Sequence, residues 1–338
     1  MLNKIAEPYF SALDIELQQI VNLAPVETPG FGVMLRYPMG WVDAEGNPYQ
    51  GGSGKRIRPL LVLLCAAASG REWQTALPAA ASVELLHNFS LIHDDIQDNS
   101  STRHGRPTVW KVWGKRNAIN AGDAIFSLSF NALSRLLERD VDAQIVIESW
   151  NILSRTALEL TRGQHLDMRF EEQDSIGVDD YISMIAGKTS ALISASAELG
   201  ALIASENHEH AANYADFGLN LGLAFQIRDD ILGIWGNADL TGKSAATDII
   251  SHKKSLPVLY GLERSVTLSS LYEKETFEES DVEQAVALLE ASGALEYVQE
   301  QETKFYQRAI SSLEAAQPKG EAADHLHGLI DLLFKRQY

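Results

Sequence analysis

The chain has 338 residues, 45% of them hydrophobic, with 28 basic against 46 acidic side chains and a formal charge of −18. That balance excludes a general electrostatic footprint for nucleic acid, and no apolar run approaches the roughly 20 residues a membrane helix requires. The single cysteine, Cys65, lies in the apolar run Leu60 to Ala68; it excludes an intramolecular disulfide and a cysteine metal cage, and reads as a buried thiol.

The first residues, Met1 to Glu7, show no long apolar stretch or cleavage site, so the expectation is a protein without a secretory signal, acting in the cytoplasm. Pro29 to Gly54, with Pro29-Gly30, Pro38-Met39-Gly40 and Gly51-Gly52-Ser53-Gly54, reads as an irregular loop before the first core helix. From Arg58 onward helical periodicity dominates, notably over Ala76–Asp98, Ala143–Gln164, Tyr181–Ser205 and Tyr214–Trp235. Ala, Leu, Glu and Gln favour helix through low side-chain entropy loss, so the expected class is all-α. No repeat or Pro/Gly/Ser-rich linker divides the chain, which is read as one domain spanning residues 1–338. Gly236 to His252 is a second irregular stretch, and Ser280 to the end reads as amphipathic packing helices.

The densest chemistry closes the stretch ending at Asp98. On a helix, Asp94 and Asp98 stack at i, i+4 with Asp95 adjacent, so three carboxylates point to one region and call for a counterion. Hard oxygen donors suit Mg²⁺, which takes one or two carboxylates, keeps waters and completes its shell with substrate phosphates. A solvated acidic helix end is the alternative, but the preceding residues Val83, Leu85, Leu86, Phe89, Leu91 and Ile92 describe a buried helix, where carboxylates are costly. His87, two turns before Asp94, shares its stripe.

A second pair, Asp229-Asp230, ends a helix in which Gly218, Gly222, Gln226 and Asp230 recur every four residues; that stripe permits either close helix packing or room for a ligand. If the two acidic helix ends face one another across a cavity, they make a site for several metal ions. The basic groups Lys55-Arg56-Ile57-Arg58, Arg103-His104-Gly105-Arg106, Lys188, Lys243 and Lys253-Lys254 are short and separate. Taken singly each is an ordinary solvated loop; as a set they could clamp two diphosphates.

In this joint order the residues resemble the polyprenyl synthetase family, the trans-isoprenyl diphosphate synthases, over about Gly52 to Tyr260. The resemblance implies an all-α isoprenoid synthase fold of antiparallel helices around a deep cavity, forming a homodimer. It implies two partners, an allylic diphosphate and isopentenyl diphosphate, with several Mg²⁺ ions bridged by substrate. Gly54-Lys55-Arg56-Ile57-Arg58-Pro59 resembles the isopentenyl diphosphate clamp, giving that role to Lys55 and Arg58 with His87. Asp94, Asp95 and Asp98 match the first aspartate-rich motif and Asp229 the second, as metal ligands. Arg103, Lys188, Gln226, Asp230, Lys243 and Lys253 match further catalytic or diphosphate-binding positions, and Gln164 and Asp167 fit the pattern.

Two departures stand out. His104 replaces an arginine associated with isopentenyl diphosphate, and the second motif reads Asp229-Asp230-Ile231-Leu232-Gly233, lacking its last carboxylate, a glycine also found in similar bacterial geranylgeranyl diphosphate synthases. Phe89, five residues before Asp94, with Ser90 beside it, is the candidate for setting chain length; core packing is its alternative. The expected activity is a prenyltransferase making geranylgeranyl diphosphate, with farnesyl diphosphate second. A terpene cyclase on the same fold competes through His104, and a non-catalytic subunit of a heteromeric synthase through Gly233. Lys55, Arg58 and His87 oppose the cyclase, which needs no second clamp.

Overall fold

The computed structural model describes residues 2–49, 54–173, 176–236, 247–274 and 276–334. The described chain is almost wholly helical: α1 (Leu2–Val21), α2 (Phe31–Arg36), α3 (Ile57–Ala68), α4 (Leu77–Gln97), α5 (Val109–Trp113), α6 (Lys115–Ser134), α7 (Ala143–Glu171), α8 (Val178–Ile185), α9 (Ala191–Ser205) and α10 (His208–Trp235). There follow α11 (Thr247–Ile250), α12 (Leu256–Leu262), α13 (Val266–Tyr272), α14 (Glu279–Ala291), α15 (Ala294–Ala315) and α16 (Gly320–Phe334). Strand is confined, among the described residues, to a hairpin of β1 (Thr102–Arg103) and β2 (Arg106–Pro107) and an isolated bridge between Val42 and Pro48.

Two compact units share the chain. The first comprises Met1–Leu158, Ala195–Ala215 and Ala316–Leu326; the second comprises Glu159–Ser194, Asp216–Ala315 and His327–Tyr338. In the first, α4 packs most extensively on α6, with α3 and α1 against it. Apolar residues close nearly every face of α3 and the first half of α4, from Leu60 to Ala66 and from Ala79 to Leu86. Such all-round apolarity marks a core helix rather than a surface one. Pro78 opens α4 where its missing N–H costs nothing, and Asn99, at φ 51°, ends the helical path just beyond Asp98.

Helix α1 was not legible as a helix beforehand, although Leu13, Leu17 and Ile20, all fully buried, keep helical spacing. Its buried Glu16 accepts from Arg135 Nε at 2.7 Å and Arg139 Nη2 at 3.0 Å, so that buried carboxylate is paired. Within the stretch Pro29 to Gly54, the described residues 29–49 are also more ordered than a loop. Gly30, at φ 78°, turns the chain into α2, which buries Gly32, Met34 and Leu35.

In the second unit, α8 continues through a single π turn, Ala186–Ser190, into α9. One core gathers Tyr181, Met184, Ile185, Leu223, Ile227, Ile231 and Leu256; another gathers Ile234, Ile249, Val258, Leu268 and Leu289. The buried pair Arg228 Nη1 to Glu302 Oε1, 2.7 Å, ties α10 to α15. The stripe noted on α10 is a packing seam: added Cβ atoms at Gly218 and Gly222 would lie 2.6 Å from Ile193 O and 2.7 Å from Ser190 Cα. No described helix is long and apolar enough to cross a membrane.

Candidate active site

The first unit holds a cavity of about 380 Å³ lined by Lys55, Arg56, Arg58, Glu84, His87, Asn88, Asp95, Arg103 and His104, together with Tyr37 and Arg106. Its size lies within the span of small-molecule pockets, about 300–1,000 Å³. Two elements bring arginines to it. The α3 N-terminus places Arg58, whose Nη1 lies 3.3 Å from His87 Nε2 on α4. The β1–β2 hairpin brings Arg103 and His104; His104 and Gly105 both have positive φ, 51° and 76°, as a two-residue turn between paired strands requires.

Arg58 Nε is buried without a hydrogen-bond partner among the described residues. A buried orphan donor costs about 1–3 kcal/mol unless a ligand satisfies it. Burial, with Arg58, Arg103 and His104 nearby, pushes the His87 imidazole well below its usual pKa, so the ring is neutral at neutral pH. The floor carries Glu84, which receives Asn88 Nδ2 at 3.3 Å and sits 4.0 Å from Arg56 Nε. Burial raises the Glu84 pKa while Arg56 and Arg58 draw it back.

The three motif carboxylates at the end of α4 differ. Asp95 is 5% exposed and accepts from Arg103 Nε at 2.9 Å, whereas Asp94 is half-buried and Asp98 exposed. Burial raises the Asp95 pKa, opposed by Arg103. Among the described residues no three His, Cys, Asp or Glu side chains converge tightly enough to cage a metal alone. Asp94 and Asp98, oxygen donors one helical turn apart, fit a hard cation that takes most of its shell from water and phosphate. Phe89 leans on Phe126 and His93, with centroids 4.7 and 4.6 Å apart, and neither it nor Ser90 lines the cavity. Ser90 Oγ donates to His87 O at 2.8 Å.

The second unit assembles its own polar set. A Cβ on Gly163 would lie 2.1 Å from Lys188 N, so α7 and the π turn touch backbone to backbone, and Lys188 Nζ reaches the Asp167 carboxylate. The neighbouring Thr189 Oγ1 donates to Gln226 Oε1 at 2.8 Å, and Gln226 Nε2 donates to Asp230 Oδ1 at 3.2 Å. Asp230 has no exposed surface; it also accepts from Tyr181 OH and from Leu256 N at 3.4 Å, with Lys253 Nζ 3.7 Å away. Burial raises the Asp230 pKa, while Lys253, Tyr181 and Gln226 pull it down.

Lys253 Nζ also donates to Asp248 at 3.3 Å. Burial works against its ammonium, yet Asp230 and Asp248 hold its pKa above the ordinary lysine value. Lys254, grouped with Lys253 as a phosphate clamp, instead donates to the carbonyls of Phe170, Glu171 and Gln173 at the end of α7. Asp229 is exposed at the same helix end as Asp230. Lys243 and the Gly51–Ser53 run lie outside the described residues, as do Lys335 and Arg336. Tyr37, Glu84, Asn88, Tyr181 and Asp248 were not candidates from sequence, and Arg106 was one only as part of a basic run. Only Asn88, at i+4 from Glu84 on a plainly helical stretch, left a local trace.

The polyprenyl synthetase family model matches residues 41–289. A geranylgeranyl diphosphate synthase of Mycobacterium tuberculosis is 38% identical over 309 residues, covering 90% of this chain and 86% of that protein. A (2E,6E)-farnesyl diphosphate synthase of the same organism is 35% identical over 315 residues with the same coverage. The crystal structure of a polyprenyl synthetase from Streptomyces coelicolor superposes with a TM-score of 0.88 at 33% identity, covering 97% of this chain and 98% of that one. The all-α fold is thus shared with a polyprenyl synthetase of known structure. This chain belongs to the polyprenyl synthetase family and is a prenyltransferase.

Proposed function

We propose that the chain joins an allylic diphosphate to isopentenyl diphosphate, with geranylgeranyl diphosphate as product. The observation that carries this reading is Arg58, whose buried, unpartnered Nε sits beside neutral His87 in a pocket of its own. An anionic oxygen would satisfy that donor, and isopentenyl diphosphate supplies one. A cyclase has no use for it. His104 in place of arginine favours the cyclase, but it removes one cation from a pocket that keeps Lys55, Arg58 and Arg103.

In this reading Arg58 and Lys55 hold the diphosphate of isopentenyl diphosphate, and His87 supplies a neutral ring beside Arg58. Arg103 in the first unit and Lys188 and Lys253 in the second are each assigned to diphosphate contacts; Asp95 and Asp230 act as positioning residues, holding Arg103 and Lys253 respectively. Asp94 and Asp98 in the first unit, and Asp229 in the second, would each serve as magnesium ligands, and the ion when bound neutralises charge on the departing diphosphate. The allylic C–O bond breaks, the terminal alkene carbon of isopentenyl diphosphate bonds to the allylic carbon, the positive charge passes to its methyl-bearing carbon, and the methylene between that carbon and the diphosphate-bearing carbon loses a proton to the released diphosphate, forming the new double bond. These residues favour the first event by stabilising developing negative charge away from bulk water.

Phe89 with Ser90 supports a geranylgeranyl product, and both the farnesyl and the geranylgeranyl relatives keep the shorter product in view. The family resemblance brings a homodimer and a cytoplasmic setting into the same proposal. The test is a starter series, dimethylallyl, geranyl and farnesyl diphosphate each with isopentenyl diphosphate and Mg²⁺, with products identified by mass. Accumulation at the geranylgeranyl length from all three supports the proposal; accumulation at farnesyl would reassign the product.

A further inference from the structure

Residues 37–49 contribute to the cationic pocket: Tyr37, Pro38 and Gly40 line it together with Glu84, His87 and Leu91 of α4. This segment folds on itself. Asp43 Oδ1 accepts from Asn47 N at 2.8 Å and from Glu45 N at 3.0 Å, and Tyr49 N donates to Trp41 O at 2.9 Å across the Val42–Pro48 bridge. It is then fastened to the rest of the unit at three points. Trp41 Nε1 donates to Asp14 Oδ1 at 3.4 Å, and the same oxygen receives Arg56 Nη1 at 2.8 Å. Tyr37 OH donates to Pro107 O at 2.8 Å.

The third fastening is Arg106. Its guanidinium lies between two rings, 4.0 Å from the Tyr37 centroid and 4.2 Å from the Tyr49 centroid. It also donates to Tyr37 O at 3.3 Å and to Val42 O at 2.8 Å. Planarity and a fork of donors allow one arginine to stack on both rings while bonding two carbonyls, and lysine cannot reproduce this. Tyr37 itself, 5% exposed, is braced edge-on by Trp113 at 5.0 Å.

We propose that residues 37–49, latched by Arg106 between Tyr37 and Tyr49, form a fixed wall of the isopentenyl diphosphate pocket and make Tyr37 a determinant of which homoallylic diphosphate fits. The inference rests on the assignment of that pocket to isopentenyl diphosphate. Arg106 is thereby a positioning residue, and the segment that read as an unexplained loop acquires a task.

The test compares steady-state kinetics of the intact enzyme and the variants Arg58→Ala, Arg106→Ala, Arg106→Lys, Tyr49→Ala and Tyr37→Ala, each checked by thermal melting. Arg106→Ala is expected to raise KM for isopentenyl diphosphate about tenfold with KM for the allylic substrate within about twofold, the loss of a stack and two carbonyl bonds. Tyr49 lies at the surface, 39% exposed, so Tyr49→Ala loosens the latch without threatening the fold and should give a smaller rise in the same KM. Arg106→Lys should behave like Arg106→Ala; if it matches the wild type, Arg106 acts as a charge and the latch is refuted. Tyr37→Ala should improve use of the 3-ethyl homologue of isopentenyl diphosphate relative to the parent, a shift in selectivity that mere loosening would not give. If Arg58→Ala raises KM for isopentenyl diphosphate while Arg106→Ala and Tyr49→Ala leave it unchanged, the wall is refuted and the pocket assignment stands. If Arg58→Ala leaves it unchanged, the pocket assignment itself falls and takes the wall with it.

Discussion

Gly233 and Asp248 share one small volume: a Cβ on Gly233 would lie 2.6 Å from both Cγ and Oδ2 of the Asp248 carboxylate. The same carboxylate receives Lys253 Nζ at 3.3 Å. Glycine at the last position of the second motif is therefore the slot that admits Asp248, and Asp248 helps hold Lys253. Restoring the missing carboxylate with Gly233→Asp should thus harm the enzyme. The expected loss is about 1–3 kcal/mol of stability, the usual range for overpacking a filled site, together with a lower kcat. Gly233→Asp with Asp248→Gly should recover most of the stability, read by urea unfolding. A gain of activity in the single variant would contradict this account.

Asp230 is the hub of the second unit, and Tyr181 is its least exposed side-chain partner, at 2%. Tyr181→Phe removes one hydrogen bond to a carboxylate and should cost about 1.5–3 kcal/mol, with kcat reduced more than either KM because Lys253 loses its fixed neighbour. Equal falls in stability and no change in kcat would make Tyr181 purely structural.

Much of this site was legible because its parts are local in sequence. Asp94, Asp95 and Asp98 lie within two helical turns, and Lys55 and Arg58 within one, so spacing alone grouped them. What sequence could not supply were partners brought from afar: Tyr181 meets Asp230 across 49 residues, and Tyr37 meets Pro107 across 70. The same limit hid the difference in burial among the acidic residues. Asp95 and Asp230 look identical to their neighbours in sequence, and only burial separates them from Asp94, Asp98 and Asp229. The all-α class followed from periodicity, but α2 hides in a segment whose Pro and Gly content reads as loop.

That difference predicts a split between adjacent carboxylates. Asp98→Asn should raise the Mg²⁺ concentration for half-maximal rate by about tenfold, one charged contact. Asp95→Asn should leave that concentration within about threefold while raising KM for the allylic substrate, because Arg103 loses the carboxylate that holds its Nε at 2.9 Å. Chelation by EDTA should stop turnover, and Mg²⁺ should restore it. Mg²⁺ titrations of both variants decide the matter.

His87 gives the enzyme a pH signature. Its folded pKa lies well below the ordinary 6.5, with burial first and Arg58, Arg103 and His104 adding to the effect. Between those two values the unfolded chain binds the extra proton, so stability falls as pH drops from about 7 through the ordinary histidine range. Glu84 and Asp95, whose pKa values are raised, pull the opposite way at pH values nearer their own range. His87→Gln should flatten the slope between about pH 7 and 5.5, measured by urea unfolding. An unchanged slope would place the proton elsewhere.

His104 tests how the pocket we propose for isopentenyl diphosphate tolerates its missing cation. His104→Arg should lower KM for isopentenyl diphosphate about tenfold, one charge-assisted contact, and alter the allylic KM much less. Equal changes in both would remove His104 from the pocket's electrostatics.

The most direct test of the whole account is dependence on the second substrate. Purified enzyme with Mg²⁺ and farnesyl diphosphate should form geranylgeranyl diphosphate only when isopentenyl diphosphate is added, and Arg58→Ala should raise the concentration of isopentenyl diphosphate required by an order of magnitude or more. A hydrocarbon or terpene alcohol formed from farnesyl diphosphate alone, or no turnover with any allylic starter, would contradict it.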